Sequence, residues 1–116
     1  MRVLVFGKTG QVATELQRHA GVRALGRADA DLNDPSACAK IIANADVDVV
    51  INAAAYTAVD GAETDTKTAY RVNSEAPAAL ALAAAAREIP FLHISTDYVF
   101  DGSGTAPWRE DAPTGP

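Results

Sequence analysis

Short apolar runs alternate with helix-forming stretches from the first residues onward, and this alternation restricts the chain to a parallel sheet joined by crossover helices. Residues 3–6 read as a buried strand and residues 11–19 as the helix after it, with Val12 and Leu16 on one face; residues 22–25 read as a second, shorter strand. Asp34 stands where it can cap a helix whose first position is Pro35, a residue whose missing N–H is no loss there, so residues 35–44 form the second helix. The Val-Asp-Val-Val-Ile run at 47–51 lacks strict alternation and suits a third strand covered on both faces. A loop from Asn52 to about Glu63 leads into an alanine-rich helical stretch ending at Glu88, in which Pro77 implies a kink or a restart near Ser74. Residues 91–94 supply the fourth strand, and beyond Ser95 the last twenty residues, rich in Gly, Pro, Asp and Thr, read as loop. Right-handed crossovers make this the first half of an α/β, doubly wound parallel sheet, with strand one where the order reverses and ligands gathering at the strand C-termini.

A length of 116 residues suits one domain, residues 1–116. The net charge of −5 and the absence of clustered Lys and Arg argue against nucleic acid as a partner, because phosphate contacts need such clusters. No stretch is long and apolar enough for a membrane span, and the apolar run before Gly7 is too short for a signal peptide, so a cytoplasmic location is expected. Cys38, the single cysteine, falls among Ala37, Ile41 and Ile42 and reads as a small buried hydrophobe. No His, Asp and Glu cluster has ligand spacing, so no metal site is expected.

The segment Gly7-Lys8-Thr9-Gly10-Gln11-Val12-Ala13 lies at the first strand-helix junction. A glycine turn at that place lets the backbone approach a diphosphate, while free amides and the helix dipole favour its charge. Gly-Lys-Thr is not a P-loop here, because the glycine which that motif needs at position 2 is Arg2. At the end of the second strand the chain has Leu25-Gly26-Arg27, with Asp29 slightly late for the acid that would hold a ribose 2′-hydroxyl. A guanidinium suits a 2′-phosphate, which favours NADPH over NADH; a solvated loop residue is the other reading of Arg27.

Gly7-Lys8-Thr9-Gly10-Gln11, the run from Ile51 to Asp60 (Ile-Asn-Ala-Ala-Ala-Tyr-Thr-Ala-Val-Asp) with Ala62-Glu63, Val72-Asn73, and the run from His93 to Gly102 (His-Ile-Ser-Thr-Asp-Tyr-Val-Phe-Asp-Gly) together resemble the dTDP-4-dehydrorhamnose reductase family of extended short-chain dehydrogenase/reductases. The resemblance implies a Rossmann-type sheet, here truncated to about its first four strands. It implies that Gly7, Gly10, Gln11 and Val12 contact the cofactor diphosphate, that Asp31 and Leu32 border the adenine, and that Ala54, Ala55, Tyr56 and Thr57 line the path toward the nicotinamide. It also implies that Thr96 and Asp97 meet the sugar, with Thr96 hydrogen-bonding the carbonyl oxygen as a catalytic residue. The implied activity is NADPH-dependent (or NADH-dependent) reduction of the 4-keto group of dTDP-4-dehydro-L-rhamnose, the proton coming from a tyrosine activated by a lysine four residues later.

The residues four after Tyr56, Tyr70 and Tyr98 are Asp60, Ser74 and Gly102, and none is lysine. The chain is therefore expected to be an N-terminal piece that stops short of the Tyr-x-x-x-Lys pair, lacks the C-terminal substrate domain and is inactive alone. A second reading is a non-catalytic NADP-binding regulatory subunit, similar to the beta subunit of methionine adenosyltransferase. An unpaired edge on strand four would favour self-association, possible as a homodimer. Asp60 and Asp101 have a plainer role open to them as turn caps, and Trp108 and Glu110 stand equally well as substrate contacts or as a cover for the sheet edge.

Overall fold

The structure, a computed structural model, describes residues 1–115. Four parallel strands, β1 (Val3–Phe6), β2 (Val22–Leu25), β3 (Val49–Asn52) and β4 (Phe91–His93), form one sheet in the order β2-β1-β3-β4. The order reverses between β1 and β3, as expected for the doubly wound arrangement. Leu4 pairs with Val50 and Val50 with Phe91, while Phe6 pairs with Leu25 and Asn52, so these side chains share one face of the sheet. That face is covered by α2 (Pro35–Asn44) and α5 (Ala76–Ala86), which pack on each other, and it carries the core of Leu4, Phe6, Leu25, Cys38, Ile42, Val50, Leu80 and Ala84. Right-handed crossovers send α1 (Gln11–Leu16) to the opposite face, where Val5 points.

The two long helices fit together because of what lines their contact. Ala76, Leu80 and Ala84 recur every four residues along the buried stripe of α5 and meet Cys38 and Ile42 of α2, small residues letting the axes approach. Asp34 caps α2 by accepting from the Ala37 N–H at 3.2 Å, with Pro35 at its first turn. At the other end the Arg87 guanidinium, arriving from α5, donates to the carbonyls of Ile42, at 2.7 Å, and Ala45. The Cys38 thiol is fully buried and donates to the Asp31 carbonyl at 3.2 Å; burial first, then the charges of Asp34 and Asp31, push it up to about 11.

Several element bounds depart from their sequence-based expectations. Helix α1 ends at Leu16 because Gln17 folds its amide onto the Lys8 and Ala13 carbonyls and the next amides close tighter three-residue turns. Its buried residue is Ala13, and Val12 is 43% exposed beside the glycine turn. Strand β3 starts at Val49, two residues later than the apolar run, because Asp48 is drawn to Arg2, accepting from its backbone N–H at 2.7 Å and its guanidinium at 2.8 Å. The segment expected to be a loop up to Glu63 and one helix thereafter contains α3 (Val59–Thr64), α4 (Thr66–Tyr70), a π-helical turn (Arg71–Glu75) and then α5. A kink or restart was expected from Pro77, and the wide turn just before it is the form this takes.

On the α1 side the sheet is only partly covered, with Leu92 51% and Ile94 49% exposed, and β4 pairs with β3 alone. After β4 the one regular element among the described residues is a 3-10 turn (Asp97–Val99). No helix among the described residues is long and apolar enough to cross a membrane. Replacing Leu80, fully buried between the helices and the sheet, by alanine is predicted to remove roughly 2–5 kcal/mol of stability. Urea denaturation checks this, and a loss below about 1 kcal/mol would place Leu80 outside a packed core.

Candidate functional site

Strand ends converge on Gly7. Its N–H donates to the Leu25 carbonyl of β2 at 2.9 Å, and the Ala53 N–H beyond β3 donates to the Phe6 carbonyl at 2.9 Å. Its φ is +117°, and a Cβ there would lie 3.1 Å from the Ala53 carbonyl group and 3.3 Å from the Ala54 nitrogen. Conformation and space therefore both demand glycine. Gly10 is different: its φ of −71° suits any residue, and no protein atom lies within 4 Å of where its Cβ would be. The first bond of α1 runs from the Thr14 N–H to the Gly10 carbonyl, which leaves the amides of Gln11, Val12 and Ala13 without partners inside the helix. Gly10, Gln11 and Val12 are exposed, so this end of the turn opens to solvent.

Two asparagines hold the loop after β3. Asn52 is fully buried; its carbonyl oxygen accepts from the Ala54 N–H at 3.2 Å and its amide nitrogen faces Nδ1 of His93 at 3.1 Å. With the Asn52 carbonyl committed to Ala54, its NH₂ group is the donor and His93 Nδ1 the acceptor. Asn73 makes a pair of bonds to one residue: Oδ1 accepts from the Tyr56 N–H at 2.8 Å, and Nδ2 donates to the Tyr56 carbonyl at 3.0 Å. The Tyr56 ring lies against α3, where a Cβ on Gly61 would meet its hydroxyl at 2.7 Å.

Beside this loop lies a cavity of about 260 Å³ lined by Arg27, Asp31, Asn33, Ala55, Tyr56, Asp65, Thr68 and Val72. Residues from the end of β2, the approach to α2, the loop after β3 and α4 thus meet around one space. The Asp29 carboxylate accepts from the Gly26 N–H at 3.0 Å and is occupied within its own turn, while the Lys8 side chain crosses over Gly26, 3.4 Å from where a Cβ would stand. Arg71 bridges Asn33 at 3.3 Å and Glu75 at 3.7 Å, tying the π-helical turn to the cavity rim.

Of the residues singled out in the sequence, Arg27, Asp31, Ala55 and Tyr56 come together in this cavity, and Gly7 adjoins it through its contact with Ala53 and Ala54. Leu32 does not present its side chain there; it is 5% exposed and belongs to the core cluster. Thr57 is exposed on the loop. Thr96 and Asp97 stand apart from the cavity lining, exposed just past the C-terminal end of β4, with the Thr96 hydroxyl accepting from the Tyr98 N–H at 3.2 Å. Asp101 caps a turn by accepting from the Ser103 N–H at 2.8 Å; hydrogen bonding from Ser103, its side chain first and then its N–H, holds the Asp101 carboxyl below the ordinary range. Trp108 stacks on Phe100 with ring centroids 4.8 Å apart, in a loop that lines a separate cavity of about 390 Å³. Sequence reasoning gave no role to Asn33, Asn52, Gly61, Asp65, Thr68 or Asn73. No group of three or more His, Cys, Asp or Glu among the described residues is placed to hold a metal ion.

The family model described as RmlD substrate binding domain matches residues 1–116, the whole chain. The chain belongs to this family. A dTDP-4-dehydrorhamnose reductase of Burkholderia thailandensis is 48% identical over 100% of this chain and 40% of its own length. The crystal structure of a dTDP-4-dehydrorhamnose reductase from Clostridium acetobutylicum superposes with a TM-score of 0.90 at 36% identity, over 100% of this chain and 43% of that one. A second, from Bacillus anthracis in complex with NADP, has a TM-score of 0.79 at 29% identity over 87% of this chain and 38% of that one. The chain thus spans about 40% of the length of the curated relatives it matches. These matches bear out the Rossmann-type fold and the family read from the glycine turn and the Ser95-Thr96-Asp97-Tyr98 run.

The contrast between the two glycines gives a prediction. Gly7→Ala should destabilise the RmlD-family chain by roughly 1–3 kcal/mol through backbone strain alone, with the close contact adding to it. Gly10→Ala should leave the melting temperature within about 2 °C, because conformation and space there are both free. Thermal denaturation of the two variants checks the pair, and equal losses would contradict the geometry.

Proposed function

We propose that this chain is the cofactor-holding part of an NADPH-dependent reductase that acts on the 4-keto group of a dTDP-linked 6-deoxysugar, dTDP-4-dehydro-L-rhamnose in the first instance. The observation that carries the reading is the meeting of the β1, β2 and β3 ends at Gly7, beside a cavity in which Arg27 stands while the nearby Asp29 carboxylate is already taken up by Gly26. A dinucleotide whose ribose bears a 2′-phosphate suits that combination: amides without helix partners for the diphosphate and a guanidinium for the phosphate. Names of relatives at 40–48% identity over the chain, and an NADP complex of one structural neighbour, support it.

In this reading Gly7, Gly10, Gln11 and Val12 hold the diphosphate, Arg27 meets the 2′-phosphate, Asp31 and the Leu32 backbone border the adenine, and Ala54, Ala55, Tyr56 and Thr57 guide the ring end toward Thr96. The chemistry supplied by a bound reduced nicotinamide is hydride delivery to the keto carbon. Thr96 donates its hydroxyl proton to the carbonyl oxygen in a hydrogen bond, and Asp97 accepts from a sugar hydroxyl. None of the three tyrosines has a lysine four residues on, so none is given the proton-donor role, and residues 1–116 by themselves are not expected to turn over. A cytoplasmic location goes with this reading. The outer edge of β4 is the surface through which two copies would pair into a homodimer.

Calorimetric titration with NADPH and NADH tests the reading. NADPH should bind more tightly, and Arg27→Ala should weaken it by roughly 10- to 100-fold, the worth of a charge-assisted hydrogen bond, while shifting NADH less than about twofold. Binding of neither nucleotide, or an equal loss for both in Arg27→Ala, would refute it.

A further inference from the structure

The π-helical turn lies directly N-terminal to the helix that carries Pro77, and the two are causally linked. In an uninterrupted α-helix the residue at position 77 would donate its N–H to the carbonyl four residues earlier, which is that of Asn73; proline has no N–H, and its ring collides with that carbonyl. The chain relieves the collision by widening: the Ala76 N–H reaches back five residues to the Arg71 carbonyl. The consequence is a change of direction for the side chains on the turn, and the one that profits is Asn73. Its amide is aimed out of the helix at the loop after β3, where it meets both polar groups of a single peptide residue, the N–H and the carbonyl of Tyr56, at 2.8 and 3.0 Å.

A neutral amide matched to one residue's donor and acceptor fixes orientation as well as distance, since rotating the loop breaks both bonds together. Tyr56 is also the hub of the cavity wall. Its hydroxyl lies close over Gly61, 2.7 Å from where a Cβ would stand, and with Ala55 it lines the cavity beside Arg27 and Asp31. Two residues earlier, Asn52 holds the Ala54 N–H. The loop is thus pinned at alternate residues, from the strand by Asn52 and from the helix by Asn73. Arg71 locks the same π turn to Asn33 on the cavity's other rim.

We infer that Asn73 is a positioning residue for the dinucleotide: the π turn forced by Pro77 aims its amide at Tyr56 and holds the Ala54, Ala55, Tyr56 and Thr57 backbone in the binding conformation. Asn73 itself is not among the cavity's lining residues and acts through Tyr56. The inference rests on the dinucleotide reading above.

The test compares the wild-type chain, Asn73→Ala, Asn73→Asp and the control Ser74→Ala, using NADPH as the probe and the exchange rate of the Tyr56 amide in the ligand-free chain as a second readout. Asn73→Ala should weaken NADPH binding roughly tenfold and speed Tyr56 amide exchange at least about tenfold, at a temperature where every variant is folded. Asn73→Asp keeps the shape but turns a carboxylate toward the Tyr56 carbonyl, so it should lose NADPH affinity at least as much as Asn73→Ala. A role in packing alone would instead leave Asn73→Asp like the wild type. Ser74→Ala should remain within twofold of the wild type. Wild-type affinity in Asn73→Asp, or unchanged Tyr56 exchange in Asn73→Ala, would overturn the inference while leaving the dinucleotide reading standing. Failure of the wild type itself to bind NADPH would overturn that reading, and the positioning role with it.

Discussion

A Cβ on Gly7 would press within 3.1 Å of the Ala53 backbone, and the fold depends on that approach remaining open. The turn leaving β1 and the loop leaving β3 have to pass each other where the strand order reverses, because one connection goes to β2 on one side and the other toward β4 on the opposite side. Glycine at this place gives the turn its positive φ and lets the two backbones touch. The candidate site is arranged around the crossing: the amides of Gln11 and Val12, without partners inside the helix, on one side, the Arg27 and Tyr56 cavity beside it, and Thr96 past the end of β4.

Most of the site is held by backbone geometry and by neutral amides, not by ion pairs. The ion pairs among the described residues are largely exposed: Arg2 reaches Asp46 and Asp48 ahead of β3, while Arg18–Glu15, Arg71–Glu75 and Arg109–Asp111 are each local to one segment. At that exposure such pairs contribute little to stability. Asn52 and Asn73, by contrast, hydrogen-bond loop peptides directly, and no buried side-chain polar atom among the described residues is left unsatisfied. Burial under α2 and α5 supplies the rigidity against which this loop is set.

Much of this was legible in the sequence, for reasons that can be stated locally. Asp34 and Pro35 announce the start of α2 because cap chemistry is a property of adjacent residues, and the glycine turn announces itself for the same reason. The start of β3 was misplaced by two residues because Asp48 answers to Arg2, a partner 46 positions away that no local pattern reveals. Spacing put Val12 and Leu16 on one face of α1, but which residue is buried is set by the sheet beneath: the six-residue helix buries one small residue, Ala13, and leaves Val12 exposed. Pro77 signalled a break but not its form. That the break becomes a π turn aiming Asn73 at Tyr56 depends on the loop after β3 lying within reach, which is a tertiary fact. Arg27 and Asp31, singled out in the sequence, line the cavity; Asn33, Asp65 and Thr68 line it too without having been singled out, because such polar residues look alike until the fold turns some of them toward one space.

The claim that the strand ends form a dinucleotide site is tested most directly by mapping amide chemical shifts of the ¹⁵N-labelled chain as NADP⁺ is added. The account predicts saturable shifts at Gly7, Gly10, Gln11, Val12, Arg27, Asp31 and Tyr56, with the Trp108 loop little affected. Shifts gathered around Ser103 and Trp108 instead, or none at millimolar nucleotide, would contradict it.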